Sequence, residues 1–411
     1  MKIKIQDIDV IIWALLLPIL IIDSVNGLLY ENNISTPFSI SQIYKLGIVG
    51  LFVLRLVKTP KYLLMVFALF GYMIFPSCVQ WLKGMIDWKV IIQDLIFAFK
   101  YLIIVIAFFY FQVVFSTVNR YEIPKYFVWI KLSYWILAFN LSLKLVGLAY
   151  PMYTNGNIGS RGWFIAGNEI SALLIILSCI LAYYYWVINK NWKFFVLYGL
   201  VSFLLGLLIS SKTGLLGIVL VHILIIGSTT AFDIRNKKTR NRLLYGGGIA
   251  LLFCGGITVF IQQSAIMNRY LYFWHKMDFV TFILSSRNIF LAEMIPIFEA
   301  SYTTFEQWIG VGNYRFEELA NQKIEIDILD ILFTYGYVGV FIFCGLLVVY
   351  SLNIVKLMKN CTVFAYAKLS FICCLILVVL SCLSGHIFNS GIAGIFIGFV
   401  LSLAYYKKSN G

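Results

Sequence analysis

Apolar runs of about 20 residues, the length a helix needs to cross bilayer hydrocarbon, alternate with short polar breaks along most of this chain. The runs lie near 10–29, 39–57, 62–82, 94–116, 126–149, 164–188, 194–210, 213–231, 243–262, 327–352, 366–384 and 388–406. They predict an all-α polytopic membrane protein of about twelve transmembrane helices. One break is long. Residues 1–262 would hold helices one to nine, 263–326 an external loop, and 327–411 helices ten to twelve.

Composition supports this reading. Of 411 residues, 61% are hydrophobic and 12% charged, with a mean hydropathy of +0.90. Soluble proteins carry about 25% charged residues, so a water-soluble globule is excluded. No stretch has the charge density of a separate soluble domain. The net charge of +14 would suit nucleic acid if the basic residues clustered on one surface, but they follow the span boundaries. Alternate breaks hold Lys2 and Lys4; Arg55, Lys58 and Lys61; Arg120 and Lys125; Lys190 and Lys193; Arg235, Lys237, Lys238, Arg240 and Arg242; Lys356, Lys359 and Lys368; and Lys407 and Lys408. The short breaks between them hold only Lys83, Lys89, Arg161 and Lys212. The positive-inside rule then places both termini in the cytoplasm and loop 263–326 outside. The excess charge records topology, and no nucleic-acid partner is expected.

The remaining features are ordinary for a membrane chain. The eight cysteines fall mostly inside apolar runs, without metal-ligand spacing, and read as small buried hydrophobes. The start, MKIKIQDIDVIIWALLL, lacks a small-residue cleavage site and reads as a retained first span. Lys45 and Lys144 sit near span ends and are expected to snorkel, and Lys100 and Lys131 also lie close to boundaries.

The predicted outer face collects the unusual residues. The break after span five, YPMYTNGNIGSRGWFIAGNEIS, carries Arg161 and then Asn168 and Glu169 at the start of span six. An acid and an amide so near the membrane are costly unless they face a cavity or each other; a solvated interfacial turn is the alternative for Arg161. Spans seven and eight are joined by SSKTG, a tight turn that offers hydroxyls and backbone N–H groups beside Lys212 and suits phosphate, although any short helical hairpin looks similar. Loop 263–326 is too long for a connector and too aromatic for disorder, with Tyr272, Phe273, Trp274, Phe298, Tyr302, Trp308 and Phe316 among its residues. It reads as two helices. The first is capped at Ser285 or Ser286, begins at Arg287 and is kinked at Pro296; the second is capped by Asn313 and carries Arg315. Arginines beside helix N-termini favour a polyanion such as diphosphate, unless the loop's own acids pair with them. At the entrance to span ten, Glu325, Asp327 and Asp330 supply carboxylates, and His386 lies in the LSGHIFNSG turn between the last two spans. Partly buried carboxylates suit general acid or base work, whereas a lone histidine is more often structural.

These features together resemble the Wzy-type polymerases of bacterial polysaccharide repeat units, relatives of the O-antigen ligases. The resemblance rests on the span plan with its late outer loop, and on the runs RGWFIAGNEIS, SSKTGLLGI, SSRNIFL, GVGNYRF, EIDILDILFTYGYVG and GHIF, which cover about a sixth of the chain. It implies a GT-C-like glycosyltransferase of the bacterial inner membrane that works without cofactor, metal or nucleotide sugar. Such an enzyme moves a growing glycan from undecaprenyl diphosphate to a hydroxyl of the next carrier-linked repeat unit of an O-antigen or capsule. By the same resemblance, Arg161, Arg287 and Arg315, assisted by Lys212, would hold the diphosphates. Glu325, Asp327 or His386 would serve as base, with Asn168, Glu169 and Asp330 in support. The ligases' histidine before a glycine-rich span is replaced here by Glu325, which favours a polymerase. A flippase and a chain-length regulator are the implied protein partners. The competing classes are an O-antigen ligase-type glycosyltransferase and a flippase or transporter of lipid-linked oligosaccharide. A transporter would show midplane charges or repeated halves, and the sequence shows no clear internal repeat.

Overall fold

The computed structural model describes residues 5–34, 39–117, 123–154, 157–228, 265–320 and 324–407. The expected span 243–262, the basic run 235–242, and Lys2, Lys4, Arg120 and Lys408 lie outside the described residues. Two isolated β-bridges apart, every regular element among the described residues is helical.

The first expected span is two helices, α1 (Ile5–Leu16) and α2 (Ile19–Glu31), bent by 47° at a break containing Pro18. Proline supplies no N–H to continue the ladder and its ring crowds the preceding turn. There follow α3 (Ile40–Leu56), α4 (Pro60–Leu82), α5 (Trp88–Thr117), α6 (Ile123–Ser142), α7 (Asn168–Tyr183), α8 (Trp192–Ile209) and α9 (Lys212–Gly227). The later part holds α10 (Ala265–Lys276), α11 (Phe279–Leu284), α12 (Arg287–Ser301), α13 (Thr304–Ile309), α14 (Asn313–Ala320), α15 (Asp327–Met358), α16 (Ala367–Leu383) and α17 (Gly394–Ser402). Among the described residues six helices are long and apolar enough to cross a membrane, α4 to α8 and α15, or seven with the bent pair. α9, α16 and α17 are shorter apolar helices. The chain is therefore a multi-pass membrane protein. The last expected span, 388–406, begins only at Gly394, because 384–393 forms a polar turn. The loop region holds five helices where two were expected: α10, α11 and α13 were too short or too aromatic to stand out by periodicity.

α7 lies at the centre, buried on every side from Ile170 to Tyr183, which explains a helix apolar all round. α17 is equally enclosed and packs on α5. Aromatic rings join α17 to its neighbours: Trp129 of α6 stacks on Phe396 at 4.7 Å and Phe111 of α5 meets Phe399 edge-on at 5.1 Å. α15, by contrast, bares Phe341, Val348, Val349 and Leu352, a face suited to lipid.

Lys45 does not snorkel. Its Nζ lies 2.7 Å from the Asp23 carboxylate, with both side chains buried, and the Ser41 hydroxyl donates to the same carboxylate. The pair joins α3 to α2 where hydrocarbon offers no other partner for either charge. Lys144 does reach outward, to the carbonyl and side chain of Asn157 at 3.1 and 2.6 Å. Lys131 rests over the rings of Tyr184 and Tyr185.

Two buried acids fasten the loop helices to the bundle end. Glu306 of α13 accepts from Gln80 at 2.7 Å and Lys83 at 2.9 Å at the end of α4, and these bonds hold its pKa down near 2 against burial. Asp94 of α5 accepts the Tyr314 N–H at 2.7 Å and the Ser77 hydroxyl. α15 kinks at Gly336, where φ is +66°, because its backbone passes directly over Trp308 and Gly310. A side chain at either glycine would run into the other segment's backbone.

Lys45→Met alone should destabilise the fold by about 3–5 kcal/mol, because it strands a buried carboxylate. Unfolding titrations in detergent should show most of that loss recovered in Asp23→Leu/Lys45→Met. A double variant as unstable as the single one would contradict the pairing.

Candidate active site

A cavity of about 380 Å³ opens at the bundle end that receives the loop helices. Asn168, Lys212 and Arg287 line it, and each is the first residue of its helix, α7, α9 and α12 respectively. Three helix N-termini, with their first-turn N–H groups and positive dipole ends, thus meet at one hollow. Ser210, Ser211, Thr213, Ser285, Ser286 and Ser384 add hydroxyls to its wall. A cation at the first position of a helix works against the dipole. Two such cations facing one cavity are balanced when an anion sits between them.

The local sequence explains the shape. SSK at 210–212 and SSR at 285–287 form the same device: a serine in the left-handed region (φ +62° at Ser210, +53° at Ser285), a second serine, then a basic residue opening a helix. Ser211 caps α9 by accepting the Gly214 N–H at 3.3 Å. Ser286, expected to cap α12, has φ +69° and makes no side-chain capping bond, so its hydroxyl is not used on the helix. Lys212 Nζ donates to the Phe282 carbonyl at 2.7 Å and lies 3.6 Å over that ring, which ties α11 to the wall. Arg287 is nearly buried. It donates from Nη2 to Glu325 at 2.7 Å and from Nη1 to the carbonyls of Leu284 and Leu383, while its Nε is enclosed without a hydrogen-bond partner.

The acids divide into two kinds. Asp327 is buried, and its carboxylate accepts the N–H groups of His386, Ile387 and Phe388 at 2.8, 3.1 and 3.0 Å. Glu169 accepts from the Ser390 hydroxyl at 2.8 Å and the Ile392 N–H at 3.0 Å. Both hold the 384–393 turn. Glu325 instead lines the cavity, with φ +60°, one oxygen on Arg287 and the other 3.8 Å from His386 Nε2. Its polar contact with His386, helped by Arg287, outweighs burial and lowers its pKa to about 2. Burial pushes His386 down, but the contact and charge of Glu325, with the charges of Asp330 and Asp327, raise its pKa above the ordinary imidazole value. Gly385 makes this approach possible: its N–H donates to the Glu325 carbonyl, and a Cβ there would strike the Glu325 backbone. Asp330 is buried one turn into α15.

Of the residues expected in the site, the structure brings together Asn168, Lys212, Arg287 and Glu325, with His386, Asp327 and Glu169 directly behind them. Arg161 lines an adjoining hollow and has its donors engaged with Glu31 at 2.5 Å, the Ile165 carbonyl at 2.6 Å and the Pro151 carbonyl at 3.2 Å. Arg315 pairs with Glu318 at 2.5 Å and is not part of the cavity wall. The hydroxyls of the SSKTG turn were expected beside Lys212, but Ser285 and Ser286 were expected only as helix caps and Ser384 was not anticipated.

One family's sequence model, described as O-antigen ligase like membrane protein, matches residues 16–279. No curated protein gives a significant match.

Asp327→Ala should speed hydrogen exchange of the 386–388 amides about tenfold or more, since each loses a bond to a charged acceptor. Peptide-resolved exchange should leave 210–214 unchanged. Equal protection at 386–388 in variant and parent would refute the anchoring role.

Proposed function

The chain belongs to the O-antigen ligase-like membrane protein family, and from that membership we propose that it is a lipid-dependent glycosyltransferase, specifically a polysaccharide repeat-unit polymerase. The donor would be a glycan on undecaprenyl diphosphate and the acceptor a hydroxyl of a second carrier-linked unit. The observation that carries this reading is the cavity, where Lys212, Arg287 and three helix N-termini surround an anion-sized space beside the Glu325–His386 pair. The bacterial inner membrane, cytoplasmic termini and a twelve-span GT-C-like scaffold are part of the same proposal.

The chemistry follows from the groups present. The acceptor oxygen bonds to the anomeric carbon as the bond from that carbon to the diphosphate oxygen breaks. The diphosphate leaves with the electron pair, and Arg287, Lys212 and the helix N-termini stabilise its charge. The acceptor's proton goes to His386. A proton kept on Nε2, toward Glu325, leaves Nδ1 to accept, and a base with a raised pKa takes a proton more readily than a carboxylate held near 2. Asp327 is a weaker candidate for the base, since three amides already engage its carboxylate.

A ligase is the second reading, favoured by the family description and by the histidine that the 384–393 turn brings to Glu325. Acceptor choice separates the two. Purified protein given undecaprenyl-diphosphate-linked repeat units, with chelator and no nucleotide sugar, should yield a product ladder. Transfer only to a different acceptor lipid would identify a ligase, and no transfer to either would overturn the glycosyltransferase reading.

Arg287→Ala should lower the rate by about 10²–10³, the usual effect of losing one charge-stabilising donor. Arg315→Ala, outside the cavity wall, should change it far less. The pH profile tests the base. Activity should fall as pH drops through the raised His386 pKa, and Glu325→Gln, which removes the carboxylate that raises it, should move that acidic limb to lower pH. An unmoved limb would exclude His386.

A further inference from the structure

A second hollow, about 660 Å³, adjoins the cavity and shares Tyr153, Ile158 and Phe273 with it. We propose that this hollow is the saccharide subsite, which holds the sugars attached to the bound carrier; the inference rests on the diphosphate reading of the cavity and deepens it. Its wall joins exposed rings to polar groups. Tyr272, half-exposed, and Phe273 stand at 5.4 Å in an edge-to-face pair at the end of α10, opposite Tyr153 and Thr154. A sugar ring has an apolar C–H face that lies on an aromatic ring and a rim of hydroxyls that needs donors and acceptors, and this wall offers both.

The hollow is built in advance. Residues 150–154 and 157–165 face each other through the bridges Tyr150–Gly162 and Tyr153–Ile158. Arg161 braces it from inside through Glu31 and the carbonyls of Pro151 and Ile165, so this arginine is a positioning residue for the floor. The opposite wall is fixed by Lys276 over the Tyr272 ring at 4.7 Å and by Trp274 against Phe282 at 5.1 Å, the residue whose carbonyl takes Lys212. A glycan joined to diphosphate through one bond must begin where the diphosphate ends, and the two spaces meet at Tyr153, Ile158 and Phe273.

Tyr272 lines this hollow and not the cavity, so it separates the two sites. Binding would be measured for three probes on the full-length protein: undecaprenyl diphosphate, the lipid-linked oligosaccharide that accumulates in cells lacking this protein, and the oligosaccharide released from it. Tyr272→Ala should bind undecaprenyl diphosphate like the parent but bind both glycan probes about tenfold more weakly. Tyr272→Phe, which keeps the ring, should restore glycan binding. Parental affinity of Tyr272→Ala for both glycan probes would overturn the subsite. If the parent failed to bind undecaprenyl diphosphate, the diphosphate reading would fall, while a Tyr272-dependent affinity for the released oligosaccharide would still support the subsite.

Discussion

The buried carboxylate of Asp327 organises this end of the molecule. A charge in so dry a place must be compensated, and here three consecutive amides of the turn between α16 and α17 do it. The bonds join the start of one long helix to the turn between two others, and that junction sets His386 against Glu325. Glu169 repeats the device from α7, so Asp327, expected as a possible base, and Glu169, expected in support, both hold one turn. Glu325 remains as the acid that faces the cavity, shared between Arg287 and His386.

Backbone strain marks the same place. Among the described residues eight non-glycine positions have positive φ, and five of them, Ser210, Ser285, Ser286, Glu325 and His386, lie in the cavity wall or directly behind it. Each such residue costs about 1–3 kcal/mol, and the surrounding packing must hold it in place. The gain is a fixed arrangement of donors around the cavity that does not have to be ordered each time the cavity is filled.

Much of this was legible in the sequence. Six of the expected spans among the described residues, and a seventh as a bent pair, followed from run length, because hydrocarbon forces every backbone group into a helix. The polar residues that seemed out of place in SSKTG, SSRNIFL, EIDILD and GHIF do converge at one bundle end, since a chain with so few charges places them where they can be satisfied. Pairings were not legible. Nothing local shows that Lys45 meets Asp23, or that Arg161 has its donors engaged by Glu31 and two carbonyls, because those partners come from other elements. The short helices α11 and α13 were missed for a related reason: six residues carry too little periodicity, and their positions depend on Lys212 and on Gln80 with Lys83.

The crossing of Gly310 and Gly336 has a mechanical meaning. Two backbones in direct contact, with no side chain between them to change rotamer, leave no slack, so the segment around α13 and the upper part of α15 translate as one body. Any rearrangement at this end must therefore hinge elsewhere. The sliding surfaces left are those cushioned by flexible side chains, chiefly the aromatic seam between α10 and α11.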